Sequence, residues 1–115
     1  MDASEKVVFC KLVAAAIMAD AALTDAEMDR LGKLMDQQGL DKAQRRLAVA
    51  VSADEDLEAL ARQLPADARA PLMAAIVDVI AVDGDVAPRE RALLDKVGHA
   101  VGLSPEEISA LLAKP

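Results

Sequence analysis

Residues 24–39 read TDAEMDRLGKLMDQQG. A threonine followed three positions later by a glutamate is a capping box. The Thr24 oxygen can accept from the Glu27 amide while the Glu27 carboxylate reaches back to the Thr24 amide. Behind it, Met28, Leu31, Leu34 and Met35 recur at three- and four-residue spacing, the single apolar stripe of an amphipathic helix. Gly39 then supplies the left-handed residue at which such a helix stops.

The same punctuation continues in both directions. Upstream, Glu5 to Ala19 is mostly apolar, with Phe9, Leu12, Val13, Ala16 and Ile17 on one stripe. Downstream, Asp41 and Gln44 open a third helix running through Leu47 to Val51. Ser52 to Glu55 is expected to cap a short fourth helix, with Leu57, Leu60 and Leu64 inward and Pro65 as its end. Asp67 opens a fifth, with Pro71 in its first turn or so, where a missing amide costs little. From Leu72 to Val82 this fifth helix is apolar almost all round, so it is predicted to be the central, most buried element, ending at Asp83-Gly84. Pro88 to Gly102 reads as a sixth helix and Ser104 onward as a seventh, with Ile108, Leu111 and Leu112 inward. No stretch alternates with period two. The expected fold is all-α: one compact domain over residues 1–115, built from about seven short helices.

Composition agrees with that reading. Hydrophobic residues make up 54% of the 115, but there is one Phe and no Tyr or Trp. Leu, Val, Ile, Met and Ala must therefore build the core, which disfavours an all-β fold. The net charge is −7, which repels phosphate backbones and anionic lipid, and no basic patch offsets it; nucleic acid is excluded as a primary partner. The apolar runs, Leu12 to Ala19 and Ala70 to Val77, fall well short of the ~20 residues that cross a bilayer. Residues 1–6 lack the basic start and small-residue cleavage site of a secretory signal. The lone Cys10 can neither staple the fold nor assemble a zinc site, which suits a reducing cytoplasm. A cytoplasmic protein without membrane insertion is expected.

Sliding the chain over itself by 63 positions aligns two halves, about 5–51 and 67–113, without a gap. Ile17 meets Ile80, Asp20 meets Asp83, Glu27 meets Glu90, Leu31 meets Leu94, and Gly39-Leu40 meets Gly102-Leu103. Apolar residues and helix-stopping glycines must recur to rebuild the same core. The Asp…Glu pair across each turn has less packing reason to recur. An aspartate at the C-terminal end of a helix opposes the macrodipole by about 0.3–1 kcal/mol. The structural alternative is local: Glu27 and Glu90 can serve as capping residues, and Asp20 and Asp83 can bond the amides of their own turns. Two halves so related are expected to pack about a pseudo-twofold axis. The fifth helix would lie against the first; an axis nearly parallel to the two would gather the turns at Asp20 and Asp83 at one end, and a perpendicular one would separate them.

The run Ala74-Ala75-Ile76 through Ala81-Val82-Asp83-Gly84-Asp85, followed by Glu90, resembles the TerB-like family of tellurite-resistance proteins, a signature also found at the N-terminus of a membrane-anchored DnaJ-type co-chaperone. The resemblance covers nearly the whole chain. It implies an all-helical, cytoplasmic, non-enzymatic bacterial domain linked to tellurite and chemical stress, with a metal-binding acidic face. Carried over, that face is Asp83 and Glu90 from the second half and Asp20 and Glu27 from the first, where Ala21 stands in place of the glycine. A shared face needs the two turns at one end, so the resemblance implies that these four carboxylates lie together and are largely accessible. With Asp85 added, these carboxylates are hard oxygen donors suited to calcium or magnesium, whereas zinc and copper would want thiolate or imidazole.

Other constellations are weaker. His99 has no Ser or Cys partner fixed by spacing, and Cys10 reads as a small core residue. Met18, Met28, Met35 and Met73 read as core filler. Asp83-Gly84-Asp85 lacks the remaining ligands of an EF-hand. No phosphate loop, nucleophile elbow or dinucleotide fingerprint occurs, so no enzymatic activity is expected. Asp78 interrupts the apolar fifth helix and must face an opening or meet a Lys or Arg. The alternative to a metal-responsive domain is a protein-interaction module, in which the acidic face or an apolar groove docks another protein.

Overall fold

The computed structural model describes residues 1–19, 24–52, 54–82 and 86–113. The helices are α1 (Ala3–Met18), α2 (Asp25–Gln38), α3 (Lys42–Val49), α4 (Leu57–Arg62), α5 (Ala66–Ile80), α6 (Pro88–Ala100) and α7 (Pro105–Ala113). No strand occurs among the described residues.

Local chemistry sets most of the boundaries. Reciprocal capping boxes open α1 (Asp2 with Glu5), α2 (Thr24 with Glu27), α3 (Asp41 with Gln44) and α7 (Ser104 with Glu107). Gly39 and Gly102 close α2 and α6 with φ of 72° and 91°. In both places the residue after the glycine donates back across the last turn: Leu40 N to Met35 O at 3.1 Å, and Leu103 N to Gly98 O at 2.8 Å. Each is a Schellman closure, which satisfies carbonyls that the helix end would leave open.

Three expectations are corrected. Ser52 is not the cap of α4. Its hydroxyl accepts from the Asp54 amide at 3.2 Å, and the true N-cap is Asp56, whose carboxylate accepts from the Ala59 amide at 3.1 Å. Pro71 lies in the second turn of α5, which starts at Ala66. There it removes the bond to the Asp67 carbonyl, and both residues are exposed, so water can take that acceptor.

The third correction concerns the centre of the molecule. It is α1, not α5, that contacts α2, α3, α4, α5 and α6. Every residue from Leu12 to Ile17 is buried, whereas α5 leaves Pro71, Ala74 and Asp78 exposed. Ala14, Ala15 and Ala16 explain the difference, because side chains of one carbon let neighbours close in on every side. Around α1 the buried apolar residues form one cluster, with Phe9 as its single ring.

Helix starts at 3, 25 and 42 recur at 66, 88 and 105, the same 63-residue offset as the sequence alignment. α1 packs on α5 as expected, α2 crosses onto α5, and α6 crosses onto α1. The third helices differ. α3 packs extensively on α1, while α7 leans chiefly on α6 and more lightly on α5. Gly98 accounts for this: a Cβ there would sit 2.6 Å from Ile108 Cδ1, so its absence lets α7 press onto α6. Met35 occupies the corresponding position on α2.

Candidate functional site

Glu27 and Glu90 each occupy the third position of their helix, and each is 4% exposed, the two buried charged residues among those described. The accessible acidic face is corrected on this point. The Thr24 amide and hydroxyl both donate to Glu27 Oε1 at 3.1 Å, and the Glu27 amide donates to Thr24 Oγ1. At the second turn the Ala87 amide donates to Glu90 Oε1 at 3.0 Å. Alanine has no oxygen with which to reciprocate, so this is half of a capping box. Both glutamates are thus oriented by the turn that precedes them, and the helix N-terminus favours their negative charge.

Asp20, Asp83 and Asp85 lie outside the described residues. Among those described, no three Asp, Glu, His or Cys side chains converge as a metal centre would require. Asp78 meets a cation. Arg30 Nη1 lies 3.4 Å from both of its carboxylate oxygens, an exposed ion pair joining α2 to α5. At the offset positions, Leu93 and Ala15 replace this pair where α6 crosses α1.

Cys10 is wholly buried, as a core residue should be. Desolvation pushes its thiol from 9.0 up to about 11, with the Arg45 charge pulling weakly the other way. His99 is exposed. Met35 and Met73 are core, but Met18 and Met28 are 39% and 40% exposed, a correction to their reading as filler. Lys11 and Glu55 form an ion pair at 2.6 Å that ties the segment before α4 to α1.

One feature escaped the sequence. Between α5 and α7 runs a groove of about 520 Å³, lined mainly by apolar side chains including Met73, Leu103 and Leu111, with Arg69 and Glu107 as its charged residues. Its volume lies in the range of small-molecule sites. The signal that could have revealed it is Gly98, a glycine on the buried face of a helix, which marks a close approach and hence a displaced neighbour.

The family model described as tellurite resistance protein TerB matches residues 6–113. The chain belongs to the TerB family. The match takes in α1 from Lys6 onward, the whole of α2 to α7, and the sequence of both acidic turns of this TerB domain. No curated protein and no solved structure is significantly similar to it. Among the described residues, no helix of the TerB domain is long and apolar enough to cross a membrane.

Proposed function

We propose that this TerB domain is a non-enzymatic, cytoplasmic stress-response module of the tellurite-resistance type that binds a divalent cation, calcium or magnesium, at its acidic turns. The ligands would be Asp20, Glu27, Asp83, Asp85 and Glu90. The observation that supports the reading is the pair of buried glutamates at Glu27 and Glu90. Each is aimed by the amide of its own turn, at equivalent positions of the two halves. A carboxylate already fixed by one backbone bond loses little freedom on meeting a cation. Asp20, Asp83 and Asp85 would add charge that a cation neutralises. A pseudo-twofold nearly parallel to α1 and α5 would bring the two turns to one end, and the crossed contacts of α2 on α5 and α6 on α1 are compatible with a twofold relation between the halves.

Calorimetric titration with calcium and magnesium tests the proposal. Saturable heat is expected, together with a rise in thermal stability of about 2.7 kcal/mol when the cation is at a hundred times its dissociation constant. Asp20→Asn/Asp83→Asn should weaken binding at least tenfold. Glu27→Gln/Glu90→Gln should do the same while leaving the fold intact, because glutamine keeps the oxygen that accepts from the turn. No heat at millimolar cation sinks the reading.

A second reading is a module that docks another protein. It is favoured by the exposed methionines Met18 and Met28, which flank the first turn in sequence and present soft apolar contact.

A further inference from the structure

The groove between α5 and α7 has a chemistry of its own. Its walls carry the small residues Ala66, Ala70 and Ala110, with Met73 and Leu111 adding apolar length. No aromatic residue lines it, so it is a slot without a platform for a flat ring. Arg69 is its one cation, and the Nε of that guanidinium is buried with no acceptor. Arg69 forms no ion pair among the described residues, unlike Arg30, Arg45, Arg62 and Arg91. That Nε is closed off, but the guanidinium has no carboxylate partner among the described residues for its outer N–H groups, and an anionic oxygen delivered into the slot would supply one. In the first half the corresponding helices, α1 and α3, pack closely on each other. The groove is therefore a consequence of α7 moving onto α6.

We propose that this groove binds a straight-chain fatty-acid anion, with the carboxylate on Arg69 and the hydrocarbon chain between α5 and α7. An apolar slot with a single unpaired cation matches a ligand with one anionic end and an unbranched apolar remainder. Glu107 is the one anion on the lining, and its Oε1 is held by the Ser104 amide at 3.0 Å. It disfavours a carboxylate at the α7 end and so sets the direction in which the ligand lies. The proposal is independent of cation binding at the turns.

Decanoate and decanol, titrated into the full chain in the presence of chelator, form the test. Decanoate should bind saturably and decanol at least tenfold more weakly, the factor that one charge-assisted bond carries. Arg69→Gln should remove that preference without altering decanol binding. Glu107→Gln, which retains the helix cap, should tighten decanoate. Ala110 is exposed, so Ala110→Trp should leave the fold intact and block both ligands. Equal affinity for decanoate and decanol, or no saturable binding of either, overturns the proposal. Concentration-dependent dimerisation that Ala110→Trp abolishes, without decanoate binding, would assign the groove to a second copy of the chain and overturns it as well.

Discussion

At the third position of a helix, a glutamate can serve its own backbone or a ligand. At Glu27 the cap takes one oxygen, which accepts from both the backbone amide and the hydroxyl of Thr24. That arrangement was legible in sequence because it depends on four consecutive residues. The depth of burial was not, since it depends on what the rest of the fold packs against the helix start. Cys10 makes the same distinction with a measurable consequence. Its thiol is raised from 9.0 to about 11 because the folded core disfavours thiolate. The unfolded chain releases that proton near its ordinary value, so the contribution is whole below pH 9 and is lost as pH climbs towards 11. Urea unfolding of wild type and Cys10→Ala at pH 8 and pH 10.5 isolates it. The stability advantage of wild type should shrink by about 1–2 kcal/mol over that interval. An advantage that stays constant would show that Cys10 does not feel the burial seen here.

Among the elements, boundaries written in local chemistry came through and those that depend on neighbours did not. The cap of α4 was misplaced because Ser52, Asp54 and Asp56 all carry capping oxygens within one short stretch. Only the path of the chain selects Asp56. The contact of α6 with α7 is likewise invisible in the sequence of either helix alone. A methyl at Gly98 would lie 2.6 and 2.9 Å from two carbons of Ile108 and 3.1 Å from Met73 Cε. Helix propensity by itself would make Gly98→Ala stabilising by about 1 kcal/mol. Overpacking should reverse the sign and leave a net loss of about 1–2 kcal/mol in chemical denaturation. In an Ile108→Ala background the penalty should fall towards zero, a coupling that a double-mutant cycle reads directly. A stabilised Gly98→Ala protein with no such coupling would mean that the two helices are not in contact as described.

For the whole molecule, the all-helical class and the offset of the helix starts followed from sequence, because capping residues, apolar stripes and stop glycines recur at fixed intervals. The choice of central helix did not follow. α1 and α5 are both apolar on most sides, and only the packing of neighbours against Ala14, Ala15 and Ala16 makes α1 the one enclosed. The groove was hidden for the same reason, being a space between elements rather than a property of any one.

The position of α7 also fixes how the protein should respond to mechanical load. Tension applied between Ala3 and Ala113 acts at one end on the most enclosed helix. At the other it acts on one held chiefly by Ile108 against Gly98 and by Ser109, whose hydroxyl accepts from Arg91 at 2.9 Å. The nine residues of α7 should peel first, lengthening the molecule by roughly 15–20 Å before the remainder ruptures cooperatively at higher force. Single-molecule pulling would register two steps in that order. The two ends are thus unequal tethers: a load borne at Ala113 is absorbed by one peripheral helix, whereas the same load at Ala3 is delivered straight into the core.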